Sequence, residues 1–377
     1  MKITILALHL GYGGIEKFIT NITNMLEEYN EVEIISTYKL YDEPAFYISP
    51  NVKITYLLEK LKPNKQEINE SIKNLKILEL IKQLFIAVKV LYLKKHKMKS
   101  AIKSLDSEVV ISTRDIHNKL LSKYGKKNTI KIATEHNYKD TDKPYMKKVI
   151  NSCKNVDYLV IASKELADMY KSNMTNIKCK VVNIPLSVDY IPTRTSKLEE
   201  KSITYIGRLS KEKGVIDLIE VFNKVYKKDN EFILNIIGAG SEEEQIISKI
   251  KEHNLEKNVI IHGYKTKEAI EEILLKTSIG INTSYTESFG LAILETFSYG
   301  IPCVAFDSAK GAREIIDNNK NGYIIEKRNF EEMANSILEL FNNKEKLSEF
   351  GKNAREKSLK YEQKVIKEEW LKLLISK

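Results

Sequence analysis

Ten short, strongly β-prone runs constrain this chain more than any other feature. An opening run from Lys2 to His9 is followed by VEIIS, VVIST, KIATEH and YLVIAS, each separated by helical or irregular sequence. SITYIG, FILNIIG, NVIIHG, IGINTS and PCVAFD then repeat the alternation. Runs this short and this apolar suit strands covered on both faces, and alternation with helical crossovers builds parallel sheets. Between the two sets, residues 180–202 carry two prolines and a charged tract, which predicts a linker. At 377 residues the chain can bury two cores. The pattern predicts the α/β class, with two Rossmann-like, doubly wound parallel-sheet domains over 1–187 and 188–360. The closing segment 361–377 is amphipathic through Val365, Trp370, Leu371 and Leu374, and is placed to cross back onto the first domain.

Hydrophobic residues at 42% and charged residues at 30% exclude a disordered chain. Cys153, Cys179 and Cys303 are widely spaced, without a CxxC pair or neighbouring histidines, which argues against a disulfide framework or zinc site and for a reducing, cytoplasmic setting. The start, MKITILALHL, reads as a buried strand rather than a signal peptide, and no run is long enough to span a bilayer.

Two glycine-bearing strand ends, GYGG at 11–14 and GAG at 238–240, lack the third glycine of a dinucleotide fingerprint, which argues against hydride transfer to NAD. A glycine turn that opens a helix still presents backbone N–H groups to an anion, and also serves as a plain tight turn. In YIGRLSKEKGV, Arg208 and Lys213 share one loop at a strand's C-terminal end, where doubly wound sheets bind ligands. Two cations there fit a pyrophosphate; alone, they would also fit a solvated basic loop.

YTESFGLAILE places Glu287 in a loop and Glu295 in the second turn of a helix running from Gly290 to Tyr299 and stopped by Gly300 and Pro302. The helix start, with the N–H groups of Phe289, Gly290 and Leu291, lies between the two carboxylates. A nucleotide sugar has a matching layout: ribose and hexose hydroxyls for the carboxylates, and a diphosphate for the helix end.

These residues together resemble the retaining GT-B glycosyltransferases of family 4, whose E-x7-E element is similar to Glu287 and Glu295. The resemblance covers nearly the whole chain and is strongest over 202–326. It extends to a glycine loop at Gly13 and Gly14, to phosphate-binding residues Gly207, Arg208, Lys211 and Lys213, and to a base-binding loop at His262, Gly263 and Tyr264. It implies a GT-B fold with an interdomain cleft, an acceptor-binding first domain and a nucleotide-sugar-binding second domain. It further implies donor contacts at Gly13, Gly14, Gly207, Arg208, Lys213, Gly238, His262, Gly263, Tyr264, Glu287, Phe289, Gly290, Leu291 and Glu295. His136, after a middle strand, would approach the transferred sugar beside Glu287, Arg208 and Lys213 as catalytic groups. A lone histidine at a strand end is otherwise more often structural. The donor implied is a UDP-sugar, with no metal or other cofactor, and the acceptor a cell-surface glycan, lipid-linked or polymeric. FDSAKGAREIIDNNKNGYII resembles members that build capsule, lipopolysaccharide or teichoic acid, with Ala312 where proline is common. Where many members have IPNGVD, this chain has IPLSVD, with Leu186 and Ser187 in the turn. A nucleotide-sugar isomerase of the same architecture and a non-catalytic sugar-binding protein remain as alternatives.

Between Lys73 and Lys103, nine lysines stand against Glu79 alone, supplying +8 of the chain's +10. Leu75, Leu78, Ile81, Phe85, Val88 and Tyr92 recur at spacings of three and four. Two readings stay open: an interfacial helix on anionic lipid, which would make the protein peripheral at the inner face of the cell membrane, or a crossover helix with solvated lysines. The aromatics fall on the apolar stripe and no reading motif is present, which argues against nucleic acid.

Overall fold

The computed structural model describes residues 1–137, 142–175 and 177–375. The first half opens with β1 (Lys2–Ala7), α1 (Gly14–Glu27), β2 (Glu31–Tyr38), β3 (Lys53–Leu58), α2 (Lys65–Lys73) and α3 (Ile77–Ser104). It continues with β4 (Val109–Ser112), α4 (Asp115–Tyr124), β5 (Ile130–Glu135), α5 (Lys143–Ser152), β6 (Tyr158–Ile161), α6 (Lys164–Asn173) and β7 (Lys180–Asn183). The second half opens with β8 (Ser202–Ile206), α7 (Val215–Lys228), β9 (Ile233–Ile237), α8 (Glu243–Glu252), β10 (Val259–Gly263), α9 (Lys267–Leu274) and β11 (Ile279–Asn282). It closes with α10 (Leu291–Ser298), β12 (Cys303–Phe306), α11 (Ala312–Ile315), β13 (Gly322–Ile325), α12 (Phe330–Asn342), α13 (Lys344–Leu359) and α14 (Gln363–Ile375).

The strands form a seven-stranded sheet in the order β3-β2-β1-β4-β5-β6-β7 and a six-stranded sheet in the order β10-β9-β8-β11-β12-β13. Every described ladder between named strands is parallel. The order reverses between β1 and β4 and again between β8 and β11, and open α/β sheets bind ligands in the crevice at such switch points. The two-domain architecture is the one expected. Lys180–Asn183, read from sequence as linker, is instead the edge strand β7, paired with β6.

Local chemistry sets the helix ends. Ser163 caps α6 by accepting the Leu166 N–H, and Asn329 caps α12 by accepting the Glu332 N–H. Helix α10 ends where Gly300 takes a φ of +71°, allowing the Ile301 N–H to reach back to the Thr296 carbonyl. On α1, Phe18, Ile19, Ile22 and Leu26 are buried, as the three- and four-residue spacing predicts.

Helix α14 returns to the first domain, with Ile366, Trp370, Leu373 and Leu374 buried against a core that includes Phe18 and Ile22 of α1. Val365, expected on the buried side, is exposed; the packed face is set by Ile366 and Leu373. Ser376 and Lys377 of that segment lie outside the described residues. Tethering is tight around the IPLSVD turn: Asn21 Nδ2 donates to the Ser187 carbonyl at 3.1 Å, and the Val188 N–H donates to Tyr361 at 2.9 Å. Ser187 is buried there without a left-handed backbone, so this turn does not require glycine.

Candidate active site

The two switch points face each other. Tyr12, in the loop after β1, stacks on Tyr264, after β10, with ring centroids 4.2 Å apart. Lys17 on α1 forms an ion pair with Asp189 of the linker, and its Nζ lies 3.9 Å from Glu295 of α10. Burial works against the Lys17 charge, but Glu295 and Asp189 outweigh it and its pKa is raised. At Glu295 burial dominates and lifts the carboxyl pKa, with Lys17 opposing and Asp189 adding to the rise.

The second-domain wall is built from two loops locked together. The loop after β8 carries Gly207 and Arg208, turns through a short 3-10 segment at Lys211–Lys213, and leads into α7 through its cap at Gly214. The loop after β11 carries Glu287. Lys213 Nζ donates to Glu287 Oε2 at 2.6 Å, and the Tyr285 N–H donates to the Glu212 carbonyl at 2.9 Å. Arg208 pairs with Glu212 at 3.0 Å and stays largely exposed at the rim. Both cations named from sequence therefore emerge on this wall, each braced by a carboxylate.

Gly290 caps α10 at φ +100°, a left-handed conformation that glycine adopts without penalty, with Glu287 in the loop before this turn and Glu295 in the helix after it. Phe289 is buried against Tyr361 while Leu291 begins the helix. Gly238, at φ +139°, packs on the loop after β8: a Cβ there would lie 1.9 Å from the Gly207 carbonyl oxygen. Its observed role is close approach of two backbones. The loop after β10 follows the same logic, with the Gly238 N–H donating to the Gly263 carbonyl. The His262 ring turns toward β9, its Nε2 2.9 Å from Asn235 Oδ1, which leaves Tyr264 as the aromatic face at the cleft.

Sequence reasoning missed what holds this wall. Arg328, after β13, sits at φ +50° and threads its guanidinium beneath the Glu287 loop. Nη1 donates to the Ser284 carbonyl at 3.2 Å and to Ser308 Oγ at 2.7 Å, and Nη2 donates to the Thr283 carbonyl at 2.9 Å and to Asp217. The guanidinium also lies 3.7 Å from the centre of the Tyr285 ring. A single planar cation thus fixes three consecutive residues of the strand-to-helix loop.

The first-domain wall is more enclosed. Arg114 Nη2 donates to buried Glu16 at 2.7 Å, holding that carboxylate under the glycine loop, where a Cβ on Gly13 would come within 2.3 Å of it. A Cβ on Gly14 would meet open space. His136 follows β5, with Nε2 2.7 Å from Thr134 Oγ1 and its ring 4.6 Å from Phe18. Burial, aided by Arg114, pushes its pKa down to about 3, so the imidazole is neutral at ordinary pH. Glu135, also missed, accepts the N–H groups of His136 and Asn137 at 2.9 and 2.7 Å and the Tyr145 hydroxyl at 3.0 Å. That carboxylate sets the backbone from which His136 projects.

Residues 190–357 match the family described as Glycosyl transferases group 1. A poly(ribitol-phosphate) alpha-N-acetylglucosaminyltransferase of Staphylococcus aureus strain COL is 30% identical over 376 residues, covering 95% of this chain and 71% of the relative. A poly(glycerol-phosphate) alpha-glucosyltransferase of Bacillus subtilis strain 168 is 32% identical over 172 residues, 46% of this chain and 25% of the relative. Among solved structures, a mutant of S. aureus TarM in complex with fondaparinux, alpha-GlcNAc-glycerol and UDP superposes over 100% of both chains with a TM-score of 0.78 at 20% identity. The fold is that of the GT-B enzymes, and with 30% identity sustained over nearly its whole length the chain belongs to the glycosyl transferases group 1 family and is a glycosyltransferase.

Proposed function

We propose that this glycosyltransferase takes a UDP-sugar, transfers its hexose or N-acetylhexosamine with retention to a cell-surface polymer or lipid-linked glycan, and needs no metal. The observation that carries the reading is the pair Glu287 and Glu295 flanking the start of α10, with Lys213 held at 2.6 Å from Glu287. In this reading Glu295 receives the ribose hydroxyls, Tyr264 and its loop receive the base, and Gly13 and Gly14 close over the diphosphate from the first domain. The bond between the anomeric carbon and the β-phosphate oxygen breaks while an acceptor hydroxyl adds to the same face of the sugar and gives its proton to the departing phosphate oxygen. Negative charge grows on the leaving phosphate, where Arg208, Lys213 and the α10 N–H groups stabilise it more strongly than in the ground state. Glu287, reached through Lys213, orients the sugar, and neutral His136 contributes a hydrogen bond from the opposite wall.

The names of the relatives support an α-linked product and a polyol-phosphate polymer as acceptor, and the TarM complex contains UDP. The test is a panel of UDP-, GDP- and ADP-sugars incubated with and without poly(ribitol phosphate), scoring nucleotide release and product. Release of UDP that rises with acceptor is expected. Conversion of the donor to an isomeric nucleotide sugar without acceptor would favour an isomerase, and release from GDP- or ADP-sugars alone would refute the donor assignment.

A further inference from the structure

Helix α3 has 28 residues, which span about 42 Å, whereas strand β3 beside it has six, about 20 Å. Only part of the helix can cover the sheet. Its C-terminal half does so, burying Val90, Met98 and Ile102, and Lys97 Nζ donates to the Leu57 carbonyl near the end of β3. Val90 packs with Leu8, Tyr38 and Leu58, which sit at the C-terminal ends of β1, β2 and β3. Since α3 runs back toward the start of β4, the residues before Val90 project past the C-terminal edge of the sheet. That edge also carries Gly13, Arg114 and His136.

The projecting half is apolar on its outer side. Leu78, Ile81, Leu84, Phe85 and Val88 are exposed, Leu78 to 86% and Phe85 to 72%, and exposed Tyr92 continues the stripe just beyond. At 3.6 residues per turn they occupy a continuous arc of roughly 100–120°. Ile86 and Val90 face the other way, into the small core at the strand ends. The crossover reading therefore holds only for the C-terminal half; the stripe identified from sequence does not dock on the sheet. Soluble domains rarely leave such a face uncovered without a partner. Lys82 and Lys89 border the arc, and Lys94, Lys95 and Lys97 continue the positive charge toward the sheet. A second copy of the chain would set lysines against lysines. A bilayer rich in anionic phospholipid satisfies both features, taking the apolar arc between its acyl chains and the lysines among its headgroups. No helix among the described residues is long and apolar enough to cross a membrane, so the contact is a surface one.

We propose that the projecting part of α3 docks this enzyme on an anionic lipid surface, with the open edge of the first domain, and hence the cleft, beside the membrane. This assignment is independent of the donor's identity. The test is co-sedimentation of the full chain with phosphatidylglycerol or phosphatidylcholine vesicles at low and high salt. Wild type should pellet with phosphatidylglycerol and stay in solution with phosphatidylcholine. Lys82→Gln with Lys89→Gln should weaken binding at low salt by about fivefold per lysine, and high salt should shrink the difference. Leu78→Ser with Phe85→Ser should abolish binding at both salts while nucleotide release in solution stays at the wild-type rate, since both side chains are exposed. Equal binding to both lipids, retained binding by the double serine variant, or no binding by wild type would overturn the proposal. So would a wild-type dimer in sedimentation velocity that Phe85→Ser converts to monomer, which would assign the face to a second copy.

Discussion

The two walls of the cleft are built on opposite principles. The second-domain wall presents charge: Lys213 on Glu287, Arg208 on Glu212, and a start of α10 that no side chain caps. The first-domain wall holds its charge in pairs, Arg114 on buried Glu16 and Lys17 across to Asp189 and Glu295, and otherwise offers a neutral His136 and two small glycines. On the proposed reading, the second-domain wall stabilises an anion that gains charge during reaction, and the first-domain wall lies beside the transferred sugar. If the comparison is right, substitutions on the two walls should fail in different ways.

The largest effects belong to the charged wall. Lys213→Ala should lower kcat by about a hundredfold or more, the scale of losing one preorganised contact to developing charge, and Arg208→Ala should follow with a similar or smaller loss because it sits at the exposed rim. Steady-state rates of nucleotide release check both; near-wild-type rates would remove the cations from the leaving-group site. Next, Glu287→Gln should act mainly on kcat and Glu295→Ala mainly on donor KM, because sugar contacts tighten as the bond breaks while ribose contacts do not change. Small, equal effects on both constants would break the two-carboxylate assignment.

A third substitution sharpens the same wall from beneath. Arg328→Ala removes the cation that holds Thr283 and Ser284 and should cost about tenfold in kcat with little change in KM, with Arg328→Lys recovering part of it. Identical losses in both variants, matched by lost thermal stability, would reduce Arg328 to a purely structural role.

The smallest effect is expected on the first wall. With a folded pKa near 3, His136 stays neutral through the physiological range, so kcat/KM should show no limb near pH 6.5 that His136→Gln removes. The same shift affects stability. The unfolded chain takes up this proton near pH 6.5 and the folded chain only near 3, so stability on its account is intact above about 6.5 and falls as pH drops through that window. Urea melts across that window should show a shallower fall in His136→Gln; an unchanged slope would contradict the partly buried, neutral histidine.

The charged wall was legible in the sequence because its parts are local. Glu287, Gly290 and Glu295 lie within nine residues, and Arg208 and Lys213 within six, so periodicity and turn chemistry place them without tertiary information. Lys17, Asp189, Arg328 and Glu135 were not read. Lys17 meets Glu295 across most of the chain, and Arg328 reaches Thr283 from 45 residues away. Each reads in isolation as one more charge in a chain with 61 basic and 51 acidic residues. Strands show the same division: ten hydrophobic runs were found, whereas β3 (KITYLL) and the short β13 (GYII) were not read as strands, and the edge strand KVVN, exposed to half-buried, merged into the linker.

The proposed retention without a metal requires the protein's own cations and helix end to carry the departing diphosphate. The most direct test is NMR of the anomeric centre in product formed from an α-linked UDP-sugar in excess EDTA. An α-linked product at an undiminished rate is expected; a β-linked product, or activity abolished by the chelator and restored by manganese, would refute metal-free retention.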